Sequence, residues 1–178
     1  MNILDYLAKY TVPFKGLCDG VHEFEFSVDE KFFAHFEGVE DYCGSLAVKV
    51  ILEKKTLVMS LKISLQGVVN VICDRCLDRF DLPVEGETSL FVKFGAQREE
   101  LAEDVIVLPL EENEIPLAQN IYELFVLSLP LRIIHPEDEE GNTLCNAEMI
   151  RKIDELSEKE DESTDPRWND LRKLLDNK

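Results

Sequence analysis

The stretch that decides the fold is SLAVKVILEKKTLVMSLKISLQGVVNVICDRCLDRFDLPVEGETSLFVKFG, residues 45–95. In 45–54 the apolar residues alternate, with Leu46, Val48, Val50 and Leu52 on one face. In 56–73 Leu57, Met59, Leu61, Ile63 and Leu65 repeat the pattern. A period of two is the signature of a half-buried strand. Lys54-Lys55 reads as a tight connection, and Gly67 as a bulge or turn. A third run, 79–95, alternates in part, and Pro83 places its first half on an edge or at a bend.

The pattern extends on both sides of this core. VHEFEFSV (21–28) puts His22, Phe24, Phe26 and Val28 on one face of a further strand, and YTVPFKGL (10–17) is a short strand-like run held by Pro13 and closed by Gly16. Asp29 suits the N-cap of a short helix carrying Phe32, Phe33 and Phe36, which Gly38 can end. AQREELAED (96–104) breaks the alternation, and VIVLPL (105–110) resumes it. In 113–131 the period changes: Ile115, Ala118, Ile121, Tyr122, Phe125 and Leu129 fall at helical spacing, with Pro116 in the first turn and Pro130 at the end. AEMIRKIDELSEKEDESTD (147–165) is helical at first, then low in apolar content and highly acidic, and DPRWNDLRKLLDNK is a further helix, capped by Asp165 with Trp168, Leu171, Leu174 and Leu175 in one stripe. Strands followed by helices predict an α+β fold, with an antiparallel sheet, curved or barrel-like, and the C-terminal helices packed on it. One domain is expected over residues 1–156, with an acidic linker and a C-terminal helix in 157–178.

Composition narrows the function. The chain has 178 residues, 37 of them acidic and 19 basic, for a net charge of −18. Phosphate binding runs on counterion release by Lys and Arg, so such a chain is a poor generic binder of nucleic acid, and an anionic membrane would repel it. A basic partner suits it, although high net charge also serves solubility alone. The N-terminal MNILDYLAKY has neither the basic start nor the apolar run of a signal peptide. With no long apolar segment, the cytoplasm is the expected compartment. Five cysteines, at 18, 43, 73, 76 and 145, make no even disulfide framework.

Cys73 and Cys76 are two residues apart, the spacing of half a zinc site. With His135 and Cys145 downstream they can form a Cys3His set, a structural type that fills every position on the metal. Zinc is then the one expected cofactor. It would clip the loop after the helix onto the hairpin. Ordinary reduced thiols near a turn are the plainer reading of the same pair. A redox pair fits less well: strands flank it where a helix should begin, and Asp74 between the thiols should oppose a thiolate. A thiol held well below the free value of about 8.5 would favour redox chemistry. Arg75, Arg79 and Lys93, near Phe80, Phe91 and Phe94, are the candidate contacts to RNA or to a partner. The chain carries no phosphate-binding glycine loop, no GxSxG and no HExxH, and the expectation is a protein that is not an enzyme.

CDRCLDRFDLPVEGE, then LFVKFG, then DVIVL and IPLAQNIYELFVLSLPLR together resemble the YceD-like family of large ribosomal RNA accumulation proteins. The resemblance covers about residues 40–150. Cys73, Arg75, Cys76 and Leu77 match the family's C-x-R-C-L motif, and Leu129, Pro130 and Leu131 match the end of its helix. Many members carry several thiols after that point; here His135 stands where the first would be, and Cys145 is the one thiol left. The resemblance implies a non-enzymatic role in accumulating large-subunit rRNA during ribosome assembly. It implies a partner such as a basic ribosomal protein or the large-subunit rRNA precursor. The acidic loops around 96–104, 111–114 and 137–140 would meet that partner, with the hairpin at 73–79 as the focal site. The alternatives are a thiol redox protein using Cys73 and Cys76, or a zinc-stapled interaction module with no ribosomal role.

Overall fold

A computed structural model describes residues 6–39, 41–56, 58–95, 99–102 (backbone only) and 104–157. The third helix expected from Asp165 onward lies outside the described residues. The chain divides into two compact units, Met1–His135 and Pro136–Lys178.

The first unit holds eight described strands: β1 (Thr11–Pro13), β2 (Gly20–Val28), β3 (Cys43–Lys54), β4 (Met59–Ile72), β5 (Arg79–Gly95), β6 (Glu99–Ala102), β7 (Val105–Pro109) and β8 (Glu114–Pro116). Its described helices are α1 (Glu30–Phe33) and α2 (Ala118–Ser128). Six strands form one sheet in the order β2-β3-β4-β5-β7-β6, and β1 pairs with β8 in a second, two-stranded sheet. Every pair is antiparallel except β5 with β7. The α+β expectation with a mainly antiparallel sheet therefore holds. The sheet is open, ending at β2 and β6, and is not a barrel.

Register explains the alternation. Leu52, Leu61 and Leu90 stand in one row across β3, β4 and β5, and Leu46, Gly67 and Val84 in another. All the leucines and the valine of these rows are 3% exposed or less, and burying such a side chain stabilises by roughly 1.5–3 kcal/mol. The opposite face carries exposed ion pairs, Lys49 with Glu23 at 2.8 Å and Lys62 with Glu87 at 2.9 Å.

Gly67 is neither bulge nor turn, since β4 runs through it in unbroken register. A Cβ there would lie 2.2 Å from the Ser45 carbonyl oxygen and 2.9 Å from Leu46 Cα. Only a bare backbone allows β3 to come that close. Pro83 lies on a half-edge, as expected: β7 pairs with β5 only from Phe91 to Gly95, so the strand before it has β4 on one side alone. The connection after β3 comes later than Lys54-Lys55. Lys54 is the last strand residue, and the Lys55 N–H donates to the Val58 carbonyl at 3.1 Å.

Asp29 caps α1 through the Phe32 N–H as expected, but the helix is shorter than its aromatic spacing suggests. It ends at Phe33 with Ala34 as C-cap, so Phe36 lies outside it and Gly38, with φ +84, sits in the loop beyond rather than ending it. Pro116 does not open α2. It ends β8 opposite Thr11, and Leu117 is the N-cap. The pull of β1 overrides the helical spacing of Ile115. α2 buries Ile121, Leu124 and Phe125, and the Phe125 ring meets Phe33 at 4.9 Å and Tyr42 at 5.9 Å.

The second unit contains α3 (Ala147–Leu156), capped by the Asn146 side chain on the Glu148 and Met149 N–H groups. Ahead of it, residues 136–145 form a small hairpin. Leu144 N donates to the Pro136 carbonyl at 3.2 Å, and the Asp138 carboxylate accepts from Glu140 N at 3.0 Å and Asn142 N at 2.7 Å.

Candidate metal centre

β4 ends at Ile72 and β5 begins at Arg79, so residues 73–78 form the turn between two long strands. The Cys73 N–H donates to the Asp78 carbonyl at 2.9 Å and the Leu77 N–H to the Cys73 carbonyl at 3.0 Å. Leu77 closes the turn with φ +64, a conformation that non-glycine residues rarely adopt. The tight turn aims both thiols inward: Cys73 is 0% exposed and Cys76 1%.

The segment after α2 lies against this turn. The Asp74 N–H donates to the Ile133 carbonyl, and the Ile133 N–H donates back to the Asp74 carboxylate, both at 2.7 Å. That fixes His135, whose Nδ1 stands 3.4 Å from Cys76 Sγ. The Phe80 ring backs the imidazole at 4.4 Å. The ligand atoms of Cys73, Cys76 and His135 lie within 4.8 Å of one another. With zinc–sulfur bonds of about 2.3 Å and zinc–nitrogen bonds of about 2.0 Å, neighbouring ligands of a tetrahedral ion stand roughly 3.5–3.8 Å apart. Two soft thiols and an imidazole, largely dehydrated, are a donor set that suits zinc.

Burial opposes the charged form of Cys73, but the N–H groups of Cys76 and Arg75 and contacts from His135 outweigh it and bring the thiol down to about 6. The Arg75 N–H reaches Cys73 Sγ at 3.4 Å. Asp74, expected to oppose a thiolate, instead turns its carboxylate to the Ile133 N–H. A ready thiolate serves a metal and a redox pair alike. Reactive cysteines are partly exposed, and these two are not. No disulfide is formed among the described residues.

Cys145, the fourth residue of the expected set, belongs to the second unit. It is 8% exposed, at the base of the small hairpin and just before the α3 cap. Its N–H donates to Thr143 Oγ1 at 3.2 Å.

Residues 61–175 match the family model described as the large ribosomal RNA subunit accumulation protein YceD. The chain belongs to this family. The matched region begins in β4 and takes in the turn, α2, His135 and Cys145. The YceD family name points to accumulation of the large-subunit RNA. No curated protein and no solved structure is matched by the chain.

The three basic candidates are not one patch. Arg75 is exposed on the turn. Arg79, also exposed, lends Nη1 to the Asp41 carbonyl at 3.3 Å and Asn70 Oδ1 at 3.4 Å. Lys93 lies near the far end of β5, about 45 Å away along the strand at roughly 3.3 Å per residue. The aromatics divide likewise: Phe80 packs on His135, while Phe94 meets Phe14 at 5.8 Å. Beside the turn, Leu77, Arg79, Ile72 and Ile133 line a pocket of about 240 Å³ that reaches Cys73 and Asp74. No helix among the described residues is long and apolar enough to cross a membrane.

Sequence reasoning missed the Asp74–Ile133 clamp, since a carboxylate between two thiols reads first as a charge. It also missed β6, which pairs with β7 inside the stretch expected to break the sheet. Of the acidic loops, 137–140 spends Asp138 internally: hydrogen bonds led by the Asn142 N–H hold its carboxyl below the usual range.

Proposed function

We propose that the chain is a non-enzymatic cytoplasmic factor that supports accumulation of large-subunit rRNA by engaging a basic ribosomal protein or the rRNA precursor. The family match over residues 61–175 carries this reading. The turn at 73–79 is the focal site, with Arg75 as its exposed contact beside the small pocket lined by Leu77 and Ile133. Cys73, Cys76 and His135, joined by Cys145, are the ligands of a structural zinc ion. Bound there, zinc would hold the segment after α2 against the β4–β5 turn and so fix the shape that the partner meets.

The test is depletion of the protein in cells, followed by sucrose-gradient profiles and large-subunit rRNA levels. Mature large subunits fall, and the parent chain restores them while Cys73→Ala/Cys76→Ala and Arg75→Glu do not. A normal profile on depletion overturns the reading.

A second reading has one observation in its favour, the Cys73 thiol held near 6. It makes Cys73 and Cys76 a redox pair. Thiol trapping across a series of glutathione potentials separates the two. A reversible Cys73–Cys76 disulfide at cellular potentials supports redox chemistry, and thiols protected by one equivalent of zinc support the structural site.

A further inference from the structure

Between Arg79 and Leu90, β5 is paired with β4 on one side only, and β7 joins the other side at Phe91, where the Phe91 N–H donates to the Asp104 carbonyl at 2.7 Å. Among the described residues no backbone group bonds to the open edge before that point. A strand edge in this state presents alternate N–H and C=O groups as a template for another chain. α2 runs along the opening. Gly86 lets it come close, since a Cβ there would meet Ser128 Oγ at 2.0 Å. The result is a groove of about 950 Å³, with the β5 edge from Glu85 to Leu90 on one wall and α2 on the other. At its end stand Asp104 and Ile106, where β7 begins.

The groove is apolar along its floor, at Leu90, Ile106 and Leu124, and Leu127 on its rim is 83% exposed. Its charged lining is Glu85, Glu87, Asp104 and Glu123, with no Lys or Arg among the lining residues. Lys62 neutralises Glu87 from outside at 2.9 Å, and Gln119 donates to Glu123 at 2.7 Å. Glu85 and Asp104 have no ion pair among the described residues.

We propose that this groove takes an extended, lysine- or arginine-bearing segment of a partner protein, which adds to β5 as a strand in line with β7. Main-chain bonds to the edge would supply affinity and the flanking carboxylates selectivity, the usual division in strand addition. About six residues, roughly 20 Å of extended chain, fill the edge from Glu85 to Leu90. A second copy of this chain is disfavoured, because it would bring a further net charge of −18 to an acidic rim. The basic nature of the partner rests on the function proposed above; the edge and the groove do not.

The test uses the full-length protein and a fluorescein-labelled ten-residue peptide alternating Lys and Val, with amide hydrogen exchange on β5. Binding is expected to protect the Glu85–Leu90 amides. It should weaken tenfold or more in Glu85→Lys/Asp104→Lys and in a peptide whose backbone N–H groups are methylated on one edge. It should persist in Asp154→Lys/Glu155→Lys, which makes the same charge change on the exposed face of α3. Equal loss in both double variants, or binding without new protection on β5, would mean diffuse electrostatic attraction and overturn the proposal. Full protection of the edge before any peptide is added would mean that the chain already covers it, and would overturn it too. If Glu85→Lys/Asp104→Lys loses the peptide yet restores rRNA in depleted cells, the groove is not the partner's site and the proposed function stands. If depletion leaves rRNA unchanged while the peptide binds as expected, the function fails and the groove stands.

Discussion

Asp74 and Ile133 hold each other twice: the Asp74 N–H donates to the Ile133 carbonyl and the Asp74 carboxylate accepts the Ile133 N–H, both at 2.7 Å. The residue between two candidate thiol ligands thus positions the segment that carries the third, His135. Second-layer contacts of this kind typically change metal affinity 10–100-fold when lost. Asp74→Ala is expected to weaken zinc binding about tenfold, in competition with a chromophoric chelator. Its cost to folding should be only about 1–2 kcal/mol, because the orphaned N–H can turn to water. Unchanged zinc affinity would mean that His135 is placed by other means.

Zinc removal gives a second prediction. The purified chain should carry about one equivalent of zinc, and chelation should lower its melting temperature. Cys145→Ala leaves Cys73, Cys76 and His135 in place, so it should reduce affinity without abolishing binding. Cys76→Ser should remove most of it, because the serine hydroxyl does not ionise to replace the thiolate. A parent protein free of zinc after metal-replete purification would count against all four ligands.

Gly67→Ala should be among the most destabilising single-methyl changes in the sheet. The added carbon falls 2.2 Å from the Ser45 carbonyl oxygen, on backbone that cannot swing aside. A cost of about 3 kcal/mol or more is expected in denaturant unfolding, the upper end of overpacking. A cost under about 1 kcal/mol would show that β3 and β4 slide apart freely.

Acid sensitivity should come in part from Asp29. The Tyr6 hydroxyl is the main group holding its carboxyl below the usual range, with Lys9 and the Phe32 N–H helping against a modest burial penalty. A carboxyl with a depressed folded pKa contributes stability that is complete above its unfolded value of about 4. That contribution is lost as pH falls through the lower folded value. Asp29→Asn should therefore flatten the acid limb of the stability curve below about pH 4, while the basic limb is unchanged. Identical acid limbs in parent and variant would remove Asp29 from the account.

Much of this molecule was legible in its sequence. The alternating leucines and valines of 45–95 could satisfy only a one-sided sheet, and the register puts Leu52, Leu61 and Leu90 in one buried row. That Cys73, Cys76 and His135 lie close was legible in outline from the CxxC spacing and the single histidine downstream, although plain thiols near a turn fitted the same residues. Other features depended on neighbours that local pattern does not name. Pro116 looks like a helix opener until Thr11 arrives opposite it. Glu99–Ala102 has little strand character and is a strand because β7 offers an edge. Arg75 and Lys93 seemed close because aromatics accompany both, yet a single strand separates them.

The order of pairing along the chain carries a consequence for how it folds. β2, β3, β4 and β5 form a meander in which each strand pairs with the next, so short loops close first. β1 cannot pair until β8 exists, and their register joins Thr11 to Pro116, across nearly the whole of the first unit. Closing so long a loop is slow and yields only a few bonds. The meander thus closes over shorter loops at lower entropic cost, while the β1–β8 clasp has to be set against a loop of about a hundred residues.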